Sequence, residues 1–301
     1  MNDLLVFDIG GTYIKYGVLN ESRDTSCIKK KSTPSSLKEL IDFIADEARQ
    51  AESIKGIAVS SPGAVSDEGI VYGSSALPYL HGPNIKQLIM ESTGLAVYME
   101  NDANCAAYAE LWGGAGKGKK DFLVMVIGTG IGGAVIKDKM LHKGANLHGG
   151  EFGYMLLNSD PEKNEVWSRV ASTKALVKKV AGSKGMSEAH LTGKQVYEWA
   201  SEGDCICLNA IDEFYHLLAV GIYNLQYIYD PEVILIGGGI SAREEVSINI
   251  EKKIDLILEK VPLAKIKPII RTCHYRQHAN LLGAAYGFYQ MKNYCNYMKF
   301  I

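Results

Sequence analysis

Val6-Phe7-Asp8-Ile9-Gly10-Gly11-Thr12 runs into Ile14-Lys15-Tyr16-Gly17-Val18. The second half of the chain repeats the arrangement: Val124-Met125-Val126-Ile127-Gly128-Thr129-Gly130 runs into Gly133-Ala134-Val135-Ile136-Lys137. Each unit is an apolar run, a turn of glycine and threonine, and a second apolar run, which reads as two strands joined by a tight turn. One such unit in each half points to an internal duplication. Around the first unit, Leu4–Ile9, Ile14–Leu19 and Thr25–Lys31 read as strands. The period then changes: Leu37, Leu40, Ile41, Ile44, Ala45 and Ala48 share one helical face, with Ser35 or Ser36 as N-cap. Ile54–Val59 and Leu95–Met99 read as strands, the former ending at Ser61-Pro62-Gly63, and Asp102–Trp112 as a helix. Around the second unit, Phe122–Ile127 and Ala134–Lys137 are strands. Helices follow near 166–181, 205–229 and 243–259, strands at Val233–Ile236 and Ile266–Arg271, and a last helix from about Ala279.

Between the halves lies Gly113-Gly114-Ala115-Gly116-Lys117-Gly118-Lys119-Lys120, a composition suited to an interdomain crossing. The expectation is a mixed α/β chain of two lobes, 1–117 and 118–282, with the last helix, about 283–301, packing back on the first. The 301 residues suffice for two domains with buried cores. A content of 47% apolar and 22% charged residues excludes a disordered chain. Lys plus Arg at 32 against Asp plus Glu at 34 leaves a net charge of −2, with no basic footprint for nucleic acid or an anionic membrane. No apolar run reaches the roughly 18 residues of a membrane span. The most apolar long stretch, His216 to Tyr229, is interrupted by Asn224 and Gln226. No basic region precedes an apolar one at the N-terminus. The six cysteines include one close pair, Cys205 and Cys207, with no second pair to complete a four-ligand zinc set. A cytoplasmic chain with reduced thiols is the expectation.

Three glycine turns follow strands: Gly10-Gly11-Thr12, Gly128-Thr129-Gly130 and Gly237-Gly238-Gly239. Such turns present backbone N–H groups to an anion, and a threonine hydroxyl adds a donor. None matches the P-loop or the dinucleotide-binding pattern, and the first two lead into strands rather than helices. They suit a nucleotide held between two lobes. Asp8, at the end of a buried strand, either caps its own turn or faces a metal-bound phosphate. Asp102, between a strand end and a helix start, either caps that helix or acts as a general base.

Asp8-Ile9-Gly10-Gly11-Thr12, Glu100-Asn101-Asp102-Ala103-Asn104, Gly128-Thr129-Gly130-Ile131-Gly132-Gly133 and Gly149-Gly150-Glu151-Phe152-Gly153 stand in the order and spacing of the ROK family of sugar kinases and repressors. Ser61-Pro62-Gly63 and Gly237-Gly238-Gly239 agree with it too, so the chain resembles that family over nearly its whole length. The resemblance implies an actin/hexokinase-like (ribonuclease H-like) fold, ATP with Mg²⁺, and phosphoryl transfer to a sugar hydroxyl. By it Asp102 would be the catalytic base and Asp8 would face the Mg²⁺-phosphate. Gly10, Gly11, Thr12, Lys15, Gly128, Thr129, Gly130 and Gly132 would surround the phosphates, and Gly238 and Gly239 the adenosine. Gly63, Asn101, Glu151 and Tyr154 would line the sugar site. The partners implied are a small-molecule sugar and ATP, in a homodimer, with no nucleic acid and no membrane.

The departures from the family pattern carry information as well. Family kinases follow Gly-Glu-x-Gly with a histidine that reaches both sugar and a structural zinc; here Tyr154 stands there. The cysteine-rich zinc segment that normally follows has no counterpart, since Met155 to Ser172 holds neither cysteine nor histidine. The glutamate that contacts the anomeric side of the sugar aligns with Ser168. The pattern resembles the β-glucoside kinase branch, which phosphorylates the 6-hydroxyl of disaccharides such as cellobiose, and it implies no zinc. Glucokinase and N-acetylmannosamine kinase are the alternatives within the family. A repressor of the family would carry a DNA-binding helix-turn-helix of about 60–80 residues before the first glycine turn, and that turn here begins at Asp8. A sugar-binding protein without catalysis would need a disabled base, and Asp102 is present. Tyr79 and His81 are ordinary loop packing or a platform for a second sugar ring.

Overall fold

The computed structural model describes residues 3–298 except 21, 26, 52, 74, 159, 161 and 277, with side chains in the last helix described as far as 292. The chain divides into two compact units. The first is Met1–Lys117 with Lys143–His148 and His274–Ile301; the second is Gly118–His142 with Gly149–Cys273.

The first unit opens with β1 (Leu4–Ile9), β2 (Tyr13–Leu19) and β3 (Lys29–Ser32), each antiparallel to the next. Helix α1 (Leu37–Gln50), capped by the Ser36 side chain on the Glu39 N–H, leads to β4 (Ile57–Ser61). A small hairpin, β5 (Ala64–Val65) and β6 (Val71–Tyr72), and α2 (Ile85–Thr93) precede β7 (Val97–Asn101) and α3 (Asp102–Gly113). The sheet order is β3-β2-β1-β4-β7, with β1, β4 and β7 parallel. Strand β1 is buried on both faces and therefore reads as an unbroken apolar run. Leu5, Phe7 and Ile9 pack with Phe43 and Ile44 of α1, while Leu4 and Val6 face the opposite cluster.

The second unit contains β8 (Phe122–Ile127), β9 (Ile131–Lys137) and β10 (Met140–Leu141), then α4 (Trp167–Ala171), α5 (Thr173–Ser183), α6 (Gly193–Ser201) and α7 (Cys205–Tyr229). It ends with β11 (Val233–Gly237), α8 (Glu245–Lys260) and β12 (Ile270–Thr272). Its sheet order, β10-β9-β8-β11-β12, has the same pattern as the first: an antiparallel meander of three, then two parallel strands beside the first of them. The duplication suggested by two glycine turns is thus a duplication of whole sheets. Helix α7 is long and apolar enough to cross a membrane by length and composition. Its residues Phe214, Leu218, Ile222 and Leu225 are buried in the core of this unit.

The chain then returns to the first unit through α9 (Ala279–Met298), whose Leu281, Leu282, Ala285 and Phe288 complete the cluster under β1. Buried Glu110 of α3 accepts the backbone N–H groups of Ala115, His274 and Tyr275 at 2.7–3.0 Å, so it pins the first unit's chain ends at both crossings.

Four strands sit further along the chain than the apolar runs alone indicate. Strands β4 and β7 extend through Ser60-Ser61 and Glu100-Asn101, polar residues whose side chains are used inside the unit. Strand β3 begins at Lys29 rather than Thr25, and its exposed lysines lie over rings: Lys30 is 3.7 Å from the Tyr13 centroid and Lys31 4.0 Å from Phe43. Charged side chains on an edge strand discourage further strand pairing. Strand β12 is short, Ile270–Thr272, because its pairing with β11 starts only at Ile270. The helix expected over 166–181 is two helices. Ser172 between them is extended (φ −86°, ψ 165°), and its hydroxyl accepts the Ala175 N–H.

Candidate active site

A line of polar side chains crosses the first sheet. Lys30, Lys15, Asp8, Ser60 and Glu100 are successive cross-strand partners on β3, β2, β1, β4 and β7. Facing cross-strand residues share one side of a sheet. Asp8 Oδ1 accepts the Ser60 hydroxyl at 3.2 Å and the Asn280 amide of α9 at 3.0 Å; Oδ2 lies 3.6 Å from Lys15 Nζ. These donors compensate a carboxylate that is only 14% exposed. His278 stands near the same group. Burial first, and the Lys15 charge second, hold its pKa below the ordinary histidine value, against an opposing pull from Asp8. Gly10, Gly11 and Thr12 form the β1–β2 turn, which Thr33 braces by giving its hydroxyl to the Gly10 carbonyl at 2.6 Å and its N–H to that of Thr12 at 3.0 Å.

At the end of β7, Asn101 caps α3: its Oδ1 accepts the N–H groups of Ala103 and Asn104 at 2.9 and 3.2 Å. Its amide reaches across to the Gly63 carbonyl at 2.9 Å. Gly63 has φ +94°, and a side chain there would press on Val71. Asp102 follows as the first residue of the helix, exposed, with Oδ1 2.8 Å from the Ala103 N–H. A helix N-terminus favours an anion at this position. The structure therefore brings Gly63, Asn101 and Asp102 together, and Asp8 together with Lys15.

In the second unit, the β8–β9 turn and the segment after β11 border one cavity of about 820 Å³. Gly128, Thr129 and Gly239 lie on its wall with Thr173, Val177, Leu191, Tyr197, Ile240 and Arg243. Gly238 takes φ +83°, and a Cβ there would collide with the Ile127 carbonyl, so only glycine turns the chain here. The Arg243 guanidinium lies 3.7 Å above the Tyr197 ring and 3.0 Å from the Glu245 carboxylate. Burial, followed by the neighbouring Tyr215, pushes the Tyr197 phenol far up, so it stays neutral. The wall is thus largely apolar, with the Tyr197 ring, Thr129, the Arg243 guanidinium and the charged residues Lys174, Glu188 and Lys194 along it. Such a lining fits a planar apolar ring joined to an anion.

Glu151 precedes and Tyr154 ends a turn of 3₁₀ helix, Phe152–Tyr154, beside β9; both are exposed, Tyr154 to 69%. Gly130 and Gly132 stand nearby on the β8–β9 turn and β9. Ser168 gives the β8–β9 turn an acceptor, its Oγ taking the Ile131 N–H at 2.8 Å. Tyr79 is spent on packing: its ring joins the first unit's core and its hydroxyl donates to the Pro34 carbonyl at 2.8 Å. His81 bonds the Ser75 hydroxyl through Nε2 at 2.9 Å.

The sequence matches the ROK family over residues 5–290. The chain is a member of the ROK family. A β-glucoside kinase of Listeria monocytogenes is 34% identical over 300 residues, covering 96% of this chain and 98% of that one. Among solved structures, a ROK family protein from Streptococcus pneumoniae in complex with sucrose superposes with a TM-score of 0.91 at 36% identity, covering 97% of this chain and 99% of its own. A ROK family glucokinase from Streptomyces griseus, in complex with glucose and AMPPNP, gives 0.75 at 25% identity, covering 94% and 98%. The ROK fold is the actin/hexokinase-like one, and the paired sheets described above are its two halves.

Several polar residues at these ROK positions carry no signal in the sequence. Asn280 reaches Asp8 from the far end of the chain, and Lys143 reaches Glu100 from a polar segment between the halves. Such long-range contacts depend on the fold. Arg243 follows the third glycine turn closely enough that a basic residue there could have been suspected.

Proposed function

We propose that this protein is an ATP-dependent sugar kinase that transfers the γ-phosphate to the 6-hydroxyl of a hexose or a C1-substituted hexoside, β-glucosides such as cellobiose foremost. Family membership and the kinase relatives support the kinase; AMPPNP in the glucokinase structure supports ATP. The nucleotide belongs to the 820 Å³ cavity of the second unit, with the adenosine against Ile240 and Tyr197 and the phosphates toward the glycines and Thr129. The sugar belongs to Gly63, Asn101 and Asp102 of the first unit.

In the transfer, Asp102 accepts the proton of the 6-hydroxyl as that oxygen bonds to the γ-phosphorus. The bond from phosphorus to the β-phosphate oxygen breaks, and ADP leaves. Phosphoryl transfer relies on position and charge more than on covalent help. Thr12, Gly11 and Lys15 supply donors and positive charge on the acceptor side, and Asn101 fixes the turn that carries the base. Mg²⁺ bound with ATP would neutralise phosphate charge. Asp8 suits it: one oxygen is held by neutral donors, and the other is beyond hydrogen-bond distance from Lys15, which fits a hydrated divalent cation. The ATP requirement fits a cytoplasmic enzyme.

The observation that carries the substrate reading is Ser168. Its hydroxyl is tied to the Ile131 N–H, so the short side chain standing where kinases of free sugars place a glutamate is turned to the protein backbone. Two lost polar contacts at the anomeric side cost a free sugar about 1–3 kcal/mol, or about 5–150-fold in affinity. A C1 substituent regains part of that by apolar contact. The expected result is a kcat/KM for cellobiose equal to or above that for glucose, measured by coupled ADP release. A tenfold or greater preference for glucose or N-acetylmannosamine, by contrast, would reject the C1-substituted substrate and leave the kinase in place.

A further inference from the structure

Glu100 is 2% exposed, and its two oxygens have different tasks. Oε1 accepts the Asn101 N–H at 2.7 Å and the Asn104 amide at 3.0 Å, the residues before and after Asp102 in the first turn of α3. Oε2 lies 3.0 Å from Lys143 Nζ, whose side chain is itself only 16% exposed. Lys143 also meets Asp67 at 2.8 Å, but that carboxylate is 88% exposed, where an ion pair contributes little. Burial works against the Lys143 ammonium; Glu100 and Asp67 more than offset it, and its pKa lies above the ordinary lysine value.

We propose that Lys143, acting through buried Glu100, is a positioning residue for the Asn101-Asp102 turn. The ammonium fixes one oxygen of Glu100, and the other oxygen shapes the helix start that aims the Asp102 carboxylate. A deeply buried carboxylate needs a cation or a full set of donors to remain charged. The other titratable groups around Glu100 do not supply a cation. Tyr98 on β7 and Cys105 on α3 are pushed well up, by burial first and by the Glu100 charge second, and stay neutral. Asp8, one strand beyond Ser60, and Asp67 are acids. Among the described residues, Lys143 is therefore the cation that faces the Glu100 carboxylate.

The inference rests on Asp102 as the base, and its test is a set of kcat–pH profiles. In Lys143→Met the buried acid has lost its counter-charge and takes up a proton more readily, which turns an acceptor facing two N–H donors into a donor. The expected result is a loss of at least about tenfold in kcat near pH 6, with the acid limb of the profile moved to higher pH and KM for ATP changed less than about twofold. Lys143→Arg is expected to restore the profile. The double variant Lys143→Met/Glu100→Gln, which exchanges the ion pair for a neutral pair, is expected to be faster than Lys143→Met at low pH. Lys143→Gln gives the same comparison if the methionine variant does not fold, and Asp67→Asn is expected to stay within about twofold of the native enzyme. A Lys143→Met or Lys143→Gln profile parallel to the native one, or a double variant no faster than the single, would overturn the inference. The base assignment itself fails on a different measurement, near-native turnover in Asp102→Asn.

Discussion

In the β1–β2 turn, a Cβ on Gly10 would stand 2.8 Å from the Tyr13 carbonyl oxygen, and one on Gly11 would stand 2.9 Å from the Ala76 Cβ. At the matching place in the second sheet, a Cβ on Gly128 would meet nothing within 4 Å, and only at Gly130, at the far end of the turn, would one meet the Ser168 hydroxyl. Both turns join the first two strands of a sheet with the same order, and both are glycine-rich. In the first, the Tyr13 carbonyl and the Ala76 side chain occupy the space. In the second, the space opens on the cavity that Gly128 and Thr129 border. The cross-strand partners differ likewise: Asp8 faces Lys15 in the first sheet, whereas Val126 faces Gly132 in the second. One copy of the duplicated unit carries charge at this row, and the other carries a valine and a glycine. The comparison teaches that two copies of one scaffold diverged, one taking charged side chains at this row and the other a cavity beside its turn.

That division is broken most directly at Asp102, on the charged copy. Asp102→Asn keeps the size of the side chain and removes the base. The expected loss in kcat is about 10²–10⁴-fold, the usual weight of a general base in a positioned site. Sugar binding, followed by calorimetry, is expected to be retained, because Asn101 still caps α3 and still holds the Gly63 carbonyl. Turnover close to native would remove Asp102 from the mechanism.

The two turns themselves are sharpened by one substitution in each. Gly10→Ala forces a methyl against a backbone carbonyl that cannot rotate away, and is expected to destabilise the protein by about 1–3 kcal/mol in urea unfolding. Gly128→Ala meets no atom, so its stability is expected to stay within about 0.5 kcal/mol of native. A methyl there projects into ligand space, and KM for ATP is expected to rise while KM for the sugar stays put. Equal destabilisation by the two alanines would refute the distinction between a turn packed by the protein and one left open for a ligand.

The same contrast explains how much of the fold and site was legible in the sequence. Strands β1 and β8 are buried on both faces and stand out as apolar runs of the right length; β8 spans the expected Phe122–Ile127. Strands β4 and β7 end in Ser60-Ser61 and Glu100-Asn101, and there the polar residues that build the site conceal the strand. Helix α6 was announced by Thr192 and Gln195, which form a full capping box, yet its short apolar face gives a faint period. Glycine motifs and acids at strand ends are local signals, so the turns, Asp8, Asn101 and Asp102 could be named. Asn280 on Asp8 and Lys143 on Glu100 are contacts between distant segments, and residue spacing carries no trace of them.

Ser168 gives the smallest effect and tests the open copy from the protein side. A Cβ on Gly130 would stand 2.8 Å from the Ser168 hydroxyl, and that hydroxyl accepts the Ile131 N–H at the same distance. Each turn is therefore held by a hydroxyl side chain, Ser168 accepting from the β8–β9 turn and Thr33 donating to the β1–β2 turn. Ser168→Ala leaves one N–H short of an acceptor in a half-buried place, and the expected destabilisation is about 1 kcal/mol. If Ser168 serves only the turn, the ratio of kcat/KM values for cellobiose and glucose is expected to be unchanged, because no sugar contact is lost. A shift of that ratio toward cellobiose by about fivefold or more, equivalent to a lost hydrogen bond to the free anomeric hydroxyl, would mean that Ser168 touches the sugar.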